Sequence, residues 1–439
     1  MELALSLLTV VAFALLALAI VTVLAPLAIA PIKALLRRDP GGAFVPHSQL
    51  VRSRLFATLY AGLGLVLLIG FQPHPFRRRD GPVPASVAGS PEVQARVAEA
   101  VAPRIQSGDL MGVVVGVVEP AGTQVFGYGQ RRLGALPPDG QSVFEIGEVS
   151  RVFTTLLVAR MAERRQVGLH QPVRELLPDS VSVPTFQQQP ITIEQLATDR
   201  SGLPGAPPNR PRSPLEWCPP FHDPYGRYGV TLLHHFLSAS DLARAPGSRI
   251  ETSVLGMGLL AHALARVART SFDTLATREI CDPLVMPDTR VTLTRSMRDR
   301  LAQGYVICRG SYREWRVASP AHRCSYGALT GAGGFLSTAN DLLSFLQAQL
   351  ALRSSDLAAA MAETRRARYR GRGLEAIGMG WSVRLGSTAG GSVVWCHGGT
   401  GGTRCWIGMD EARKIGVVVL ANSTADVDPL GFDLLRSLP

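Results

Sequence analysis

The distribution of apolar residues divides the chain into a hydrophobic N-terminal part and a mixed C-terminal part. Residues 3–31 contain no charged side chain, and residues 55–71 form a second, shorter apolar run. A helix that spans a bilayer needs about 20 apolar residues, so both runs are predicted to cross a membrane. A cleaved signal peptide is the alternative for the first run, but its Met-Glu start lacks a basic segment and the run is too long.

Basic residues around the two runs predict their orientation. The loop between the runs carries five cations (Lys33, Arg37, Arg38, Arg52 and Arg54), and three arginines at residues 77–79 follow the second run. Because loops rich in Lys and Arg stay in the cytoplasm, we expect the large C-terminal region to lie outside. Residues 1–80 are interpreted as an anchor in the lipid bilayer and the Pro- and Gly-rich residues 81–92 as a linker to a domain at residues 93–439.

The apolar pattern of that domain predicts strands at its two ends and helices between them. Residues 93–105 and 149–161 have helical spacing, and residues 113–118 and 124–128 form a predicted hairpin around a Pro-Ala-Gly turn. Three β-rich runs precede a short final helix: residues 392–396, 403–409 and 415–421. We therefore predict an α/β (α+β) fold, in which the two ends of the domain close one sheet and a helical lobe is inserted between them. The pattern is compatible with one domain or with two interleaved lobes.

Composition and charge exclude several classes of function. The chain is 46% hydrophobic and 18% charged, which excludes a disordered protein. The net charge of +11 would suit a nucleic-acid partner, but much of the excess flanks the apolar runs. An arginine cluster at residues 365–372 contains one aromatic residue, Tyr369, and no recognisable binding motif, so we interpret it as a solvated loop. No nucleic-acid partner is expected.

The cysteines all lie beyond the predicted anchor, and none has the Cys-x-x-Cys spacing of a metal site. They are Cys218, Cys281, Cys308, Cys324, Cys396 and Cys405. An oxidising compartment would permit local disulfides between Cys308 and Cys324 and between Cys396 and Cys405. Buried free thiols are the alternative.

Several short segments give the domain a family resemblance. Residues 144–154 resemble the segment that bears the nucleophile in serine β-lactamases and penicillin-binding proteins, above all in class C β-lactamases and D-alanyl-D-alanine carboxypeptidases. Other segments match in family order: residues 191–196, 201–204, 246–250, 282–289, 333–341, 378–381, 397–399 and 417–422. The resemblance covers about residues 93–437. It implies an antiparallel sheet flanked by helices, and a domain on the periplasmic side of a bacterial inner membrane.

The residues that carry the chemistry of that family are substituted in this chain. The first motif, S-x-x-K, places a serine nucleophile at a helix start and a lysine one turn later, and the matching positions hold Glu148 and Arg151. A carboxylate cannot replace the serine, and arginine stays protonated at any usable pH. The second motif, Tyr-x-Asn, matches Thr252 and Val254, whereas the third, His-x-Gly, is kept from His397 to Gly399.

No other residue restores the missing pair. The two lysines of the chain, Lys33 and Lys414, cannot lie one turn after a serine at this helix start. Ser150 lies about 200° around the helix from Glu148 and is expected to face away from the cleft. Ser150 or Ser253, with His397 as the base, is the alternative arrangement of an active enzyme.

The substituted positions define a candidate binding site. We expect a shared cleft with Glu251 at its edge, formed by Glu148, Arg151, Thr252, Val254 and His397. In one interpretation Arg151 pairs with Glu148 and Glu251, and the ion network fills the pocket. In another, Arg151 and His397, together with Gly399 and Thr400, bind a carboxylate such as the end of a peptidoglycan peptide. Two carboxylates acting as an acid–base pair, or a metal held with His397, are further alternatives without support from spacing.

The sequence therefore predicts a membrane-anchored relative of these hydrolases that has lost catalysis and binds or senses a ligand of the cell envelope. No metal or cofactor is expected. The alternative is an active serine hydrolase of the β-lactamase, carboxypeptidase or esterase type with rearranged catalytic residues.

Overall fold

The computed structural model describes residues 85–86, 90–212, 223–309, 316–320, 326–370, 375–385 and 392–438. The predicted spans at residues 3–31 and 55–71 lie outside these ranges. Within them, no helix combines the length and the hydropathy that crossing a membrane requires.

Strands lie at the two ends of the domain with helices between them, as the sequence pattern predicts, and short strands also occur among the helices. The strands are β1 (Ala85–Ser86), β2 (Gly112–Glu119), β3 (Gly122–Gly129), β4 (Phe144–Glu145), β5 (Tyr305–Arg309), β6 (Arg316–Pro320), β7 (Leu336–Ser337), β8 (Tyr369–Arg370), β9 (Glu375–Ile377), β10 (Ser382–Arg384), β11 (Val393–Gly399), β12 (Arg404–Asp410) and β13 (Ile415–Ala421). The helices are α1 (Pro91–Gln106), α2 (Ser150–Glu163), α3 (Ile193–Ala197), α4 (Val230–Ala239), α5 (Val254–Val267), α6 (Phe272–Ala276), α7 (Arg295–Arg300), α8 (Thr330–Gly333), α9 (Ala339–Gln349), α10 (Ala358–Arg365) and α11 (Asp428–Ser437).

One antiparallel sheet organises the domain, in the strand order β1-β3-β2-β13-β12-β11-β10-β9-β8. The predicted hairpin is formed by β2 and β3, and β13 pairs with β2 from Gly416 opposite Val118 to Ala421 opposite Val113. The two ends of the domain therefore close the sheet, and this prediction is confirmed. The edge strand β1 lies within the segment that we interpreted as a linker.

The sheet separates two hydrophobic cores. Along β2, Val113, Val115 and Val117 pack toward α1 and α11, whereas Val114 and Val118 pack toward the helical lobe. Side chains of a strand alternate between its two faces, so a strand covered on both faces is apolar throughout. This explains why β2 carries valines on both of its faces.

The helical lobe lies in the sequence between β3 and β8. Helix α2 is buried on nearly all sides, since ten of its residues from Ser150 to Met161 are inaccessible to solvent. Its neighbours include α5, α8 and α10. A helix buried on all sides carries apolar residues around its whole circumference, as the sequence of α2 shows.

Two glycines bring the end of β11 directly against the start of α2. A 3₁₀ turn, Gly147–Val149, precedes α2, and Gly147 has a φ of +52°, a conformation that favours glycine. A Cβ atom on Gly398 would lie 2.5 Å from the Glu148 nitrogen and 2.6 Å from the Val149 nitrogen. The backbones approach this closely because neither glycine has a side chain.

The structure decides between the two alternatives for one pair of cysteines and corrects part of the expectation for the arginine cluster. Cys396 and Cys405 are buried free thiols rather than a disulfide, because β11 pairs Cys396 with Ile407 and Cys405 with Gly398. Cys218 and Cys324 lie outside the described residues. The arginine cluster is solvated only in part: Arg366 and Arg370 are exposed, whereas Arg365 pairs with Glu411, and Arg368, whose side chain is 6% exposed, pairs with Glu194 and Glu363.

Candidate ligand site

A cavity of about 860 Å³ lies where β11 ends beside the start of α2. It brings together four of the five positions expected to share a cleft, Glu148, Arg151, Thr252 and His397, and adds Gly399 and Thr400. Tyr225, Tyr326 and Trp381 contribute aromatic surface to its wall.

Glu148 is positioned by the turn before α2 and by the end of β11. Its Oε2 accepts a hydrogen bond of 2.8 Å from the backbone N–H of Gly399. The sequence predicts an ion pair between Glu148 and Arg151, and that prediction is wrong, because Arg151 pairs elsewhere. Glu148 also makes no capping hydrogen bond to the start of α2. The carboxylate is therefore held by a backbone donor from the neighbouring strand.

Arg151, in the first turn of α2, forms an ion pair with Asp199, which follows α3. The Arg151 side chain is 11% exposed and that of Asp199 is 15% exposed. Burial lowers the pKa of Arg151, but the attraction of Asp199 outweighs it, with smaller contributions from Cys396 and Glu148, and the pKa is raised overall. Arg151 therefore stays protonated and cannot accept a proton.

The remaining expected positions around α5 divide between the cavity and its surroundings. Thr252 lines the cavity. Val254, the first residue of α5, does not belong to the lining: it packs against the core, and its N–H donates to the Gly205 carbonyl at 2.8 Å. Glu251 pairs with Arg244 and Arg249 instead of Arg151, so its predicted place in the Arg151 network is wrong.

His397 forms a pair with the first residue of α11. Its Nδ1 lies 2.5 Å from Oδ2 of Asp428, and the His397 side chain is 58% exposed. The hydrogen bond to Asp428 raises the pKa of His397, although burial opposes the shift. His397 is also in edge contact with Trp395, with ring centroids 5.3 Å apart. This pair gives the cavity one group that can exchange protons with solvent.

Thr400 and Arg404 complete the polar wall on the sheet side. The Thr400 hydroxyl donates to Oε2 of Glu145 at 2.7 Å. The Nη1 of Arg404 donates to the carbonyls of Thr400 and Thr403, both at 2.9 Å. Arg404 forms no ion pair with any described residue.

The serines considered as alternative nucleophiles lie outside the cavity lining. Ser150 is fully buried, and its Oγ accepts a 3.1 Å hydrogen bond from the Phe335 N–H. Ser253 caps α5: its Oγ donates to the Pro204 carbonyl at 2.6 Å and accepts from the Gly256 N–H at 2.9 Å. Both hydroxyls have structural partners.

Cys396 lies in the cavity wall, but its thiol is not activated. Burial raises its pKa to about 12, although the charge of Arg151 opposes the shift. A thiol with so high a pKa is almost wholly protonated at neutral pH, and the thiolate is the nucleophilic form.

The sequence did not identify four charged residues of the lining: Asp199, Arg404, Asp426 and Asp428. Asp199 has a left-handed φ of +54°, which brings it back toward α2, and it lies just before a segment that carries the family resemblance. Its position next to that segment is the feature of the sequence that could have identified Asp199 as a site residue. Asp428 is the first residue of the predicted final helix, and no local pattern connects it to His397.

The described residues contain no group of three or more His, Cys, Asp or Glu side chains arranged to hold a metal ion. What they provide is a solvent-accessible cavity with carboxylates, guanidinium groups, an imidazole and aromatic rings. Such a set of groups can bind a polar ligand through hydrogen bonds and charge.

Comparisons with known proteins agree with the fold. The family described as Beta-lactamase matches residues 97–437. The D-alanyl-D-alanine-carboxypeptidase/endopeptidase AmpH of Escherichia coli (strain K12) is 27% identical over 67% of this chain and 74% of its own length. A beta-lactamase of Pseudomonas fluorescens is 24% identical over 75% of this chain and 94% of its own length.

Solved structures show the same architecture. The class C beta lactamase from Rhodobacter sphaeroides superposes with a TM-score of 0.65 and 23% identity, over 78% of this chain and 98% of its own. The D-alanine carboxypeptidase from Burkholderia cenocepacia gives a TM-score of 0.64 and 22% identity, over 79% of this chain and 99% of its own. Together with the family match over most of the chain, the fold establishes that this protein belongs to the beta-lactamase family.

Proposed function

We propose that this protein is a catalytically inactive beta-lactamase relative, held in a bacterial inner membrane by residues 1–80, whose outer domain binds a ligand of the cell envelope. The ligand class we propose is a peptidoglycan peptide or a related small carboxylate, because relatives are named for D-alanyl-D-alanine. The observation that carries the proposal is the ion pair of Arg151 with Asp199 beside Glu148, two residues that the sequence resemblance matches to the family's base and nucleophile.

The chemistry of these two residues supports the loss of hydrolysis. A hydroxyl attacks a carbonyl only when a nearby base takes its proton, and neither a carboxylate at the attacking position nor a protonated guanidinium supplies that pair. Removing the nucleophile and its base from a serine hydrolase costs roughly six orders of magnitude in turnover. The buried, hydrogen-bonded positions of Ser150 and Ser253 give no support to a substitute.

The cavity itself supports binding. Its lining keeps polar groups at the surface, including His397, although Arg151 is ion-paired. A pocket of about 860 Å³ is within the size range of small-molecule sites, roughly 300–1,000 Å³. Had the substitutions only filled a disused cleft, we would expect side chains to occupy this space.

One observation favours a second candidate, an active hydrolase without a covalent intermediate. The Asp428 carboxylate holds Nδ1 of His397, as an orienting carboxylate does beside a general base, which leaves Nε2 able to take a proton from water. The experiment below separates this candidate from a binding protein.

Labelling and binding assays on the full chain in detergent test the proposal. Fluorescent penicillin is expected to form no covalent adduct with this protein on a denaturing gel. An active penicillin-binding protein, labelled under the same conditions, is the positive control. A chromogenic cephalosporin is expected to be hydrolysed no faster than in buffer. Calorimetry with D-alanyl-D-alanine is expected to show saturable binding.

Any result other than these would assign a different function to the protein. An adduct that disappears in Ser150→Ala or Ser253→Ala identifies a rearranged serine hydrolase. Hydrolysis without an adduct, lost in His397→Gln, identifies the histidine–aspartate candidate. Absence of both binding and hydrolysis rejects a peptide-binding role for the cavity.

A further inference from the structure

The charges around the cavity do not suit a ligand that carries only a carboxylate. Four carboxylates line it, those of Glu148, Asp199, Asp426 and Asp428, against the two guanidinium groups of Arg151 and Arg404. Even with His397 protonated, negative groups outnumber positive ones. Because charges interact more strongly where little water separates them, a purely anionic ligand meets net repulsion here.

Ion pairs within the site leave two of these carboxylates without an ion-pair partner among the described residues, the exposed Asp426 and the partly buried Glu148. Asp199 is neutralised by Arg151, and Asp428 is paired with His397. Glu148 is close enough to Arg151 to contribute to the raised pKa of that residue, but it forms no ion pair with a described residue. Among the described residues, the only hydrogen-bond donor to its carboxylate is the neutral N–H of Gly399. A cation from a ligand would supply the missing charge.

Arg404 is the complementary positive group. Its Nη1 is held by two backbone carbonyls, and no carboxylate of the described residues pairs with it. A carbonyl offers a dipole but no negative charge, so the guanidinium keeps its full charge at the cavity wall. A ligand carboxylate is the partner that suits this planar group.

Glu148 and Arg404 lie against the same residue of β11. The N–H of Gly399 donates to Glu148, and the Arg404 guanidinium contacts the position that a Cβ atom of Gly399 would occupy. The two groups form no ion pair with each other among the described residues, so each is available to a ligand group of opposite charge.

We infer that the ligand is a zwitterion, an amino acid or a short peptide with a free amino terminus. Its ammonium group binds Glu148 and its carboxylate binds Arg404. The inference rests on the proposed binding function and narrows the ligand class, since a peptide blocked at its amino terminus carries no such ammonium. Tyr225 and Tyr326, with ring centroids 5.6 Å apart, provide apolar surface for side chains of the ligand.

Calorimetry with three matched probes tests the inference on the full chain in detergent. The probes are D-alanyl-D-alanine, its N-acetyl derivative, which lacks the ammonium, and its C-terminal amide, which lacks the carboxylate. The free dipeptide is expected to bind at least tenfold more tightly than either derivative. Glu148→Gln keeps an acceptor for the Gly399 N–H and is expected to abolish the preference over the N-acetyl derivative alone.

Two further variants complete the design. Arg404→Gln is expected to abolish the preference over the amide, while the preference over the N-acetyl derivative remains. Glu99→Gln, an exposed change on α1, is expected to keep both preferences. Circular dichroism melting of each variant shows whether its fold is intact.

The possible results separate the inference from the proposed function. Equal binding of the free and the N-acetyl dipeptide rejects the zwitterion and leaves the binding function in place. Failure of all three probes to bind rejects both. An unchanged preference in a folded Glu148→Gln protein rejects the assignment of the ammonium to Glu148.

Discussion

Charged side chains around the cavity are held by partners that are distant in the sequence. Arg151 and Asp199 are 48 residues apart, His397 and Asp428 are 31 apart, and Glu148 and Gly399 are 251 apart. Each partner comes from a different element, so the fold determines the charge state of the site. Among the groups in these pairs, His397 is the histidine, and the hydrogen bond to its partner Asp428 raises its pKa.

The stability that this pair contributes should depend on pH. Because the hydrogen bond to Asp428 raises the pKa of His397, its stabilisation is fully present below the unfolded pKa of about 6.5 and is lost as the pH rises through the folded value. Asp428→Asn should therefore lower the melting temperature more at pH 6 than at pH 9. The effect should be small, since His397 is 58% exposed and solvent screens the pair.

A matched control is available on the same helix. Asp433 is 64% exposed and pairs with Arg436, a contact that contains no histidine, so the effect of Asp433→Asn should be the same at pH 6 and pH 9. A destabilisation by Asp428→Asn that grows toward pH 9 would show that the pair acts through the neutral imidazole.

The large sequence separations between partners also explain which site residues could be predicted from the sequence. The motif order correctly placed Glu148, Arg151, Thr252 and His397 near one another, because the fold is shared with the family. It gave the wrong partner for Arg151, since sequence spacing reports only contacts within one helix. Asp199 reaches Arg151 through a loop turn, and no periodicity records that contact.

At the scale of elements, local patterns placed two helices (α1 and α2) and four strands (β2, β3, β12 and β13) to within two residues. The predicted strand at residues 392–396 is the exception, because β11 continues through Gly398 and Gly399. Glycine weakens a strand pattern, yet β12 pairs with both glycines. The extension depends on a tertiary contact with the turn Gly147–Val149, and the sequence of β11 alone does not reveal it.

Gly398→Ala tests this contact. The new methyl group would meet backbone atoms of Ile146, Glu148 and Val149, which cannot rotate away as a side chain does. We expect a loss of about 1–3 kcal/mol in the free energy of unfolding, the usual cost of overpacking, measured by urea denaturation. Gly229→Ala is the control, since nothing lies within 4 Å of its Cβ position. Equal stability of the two variants would show that β11 can move away from the turn.

At the scale of the whole domain, the central sheet joins two cores that the sequence left open as one domain or two lobes. Adjacent residues of β2 and of β13 point alternately into the core beneath α11 and into the core of the helical lobe. Loss of either core would expose one face of the same strands. The sheet therefore couples the two cores, and we expect them to unfold together.

Three leucine-to-alanine changes test this coupling. Leu434 on α11 and Leu260 on α5 are fully buried, one in each core, and each change should cost about 2–5 kcal/mol. Both should move the same single unfolding transition, followed by circular dichroism and by tryptophan fluorescence. Leu136→Ala should leave the transition in place, since Leu136 is 82% exposed. If Leu434→Ala and Leu260→Ala shifted separate transitions, the two cores would be independent folding units and the sheet would not couple them.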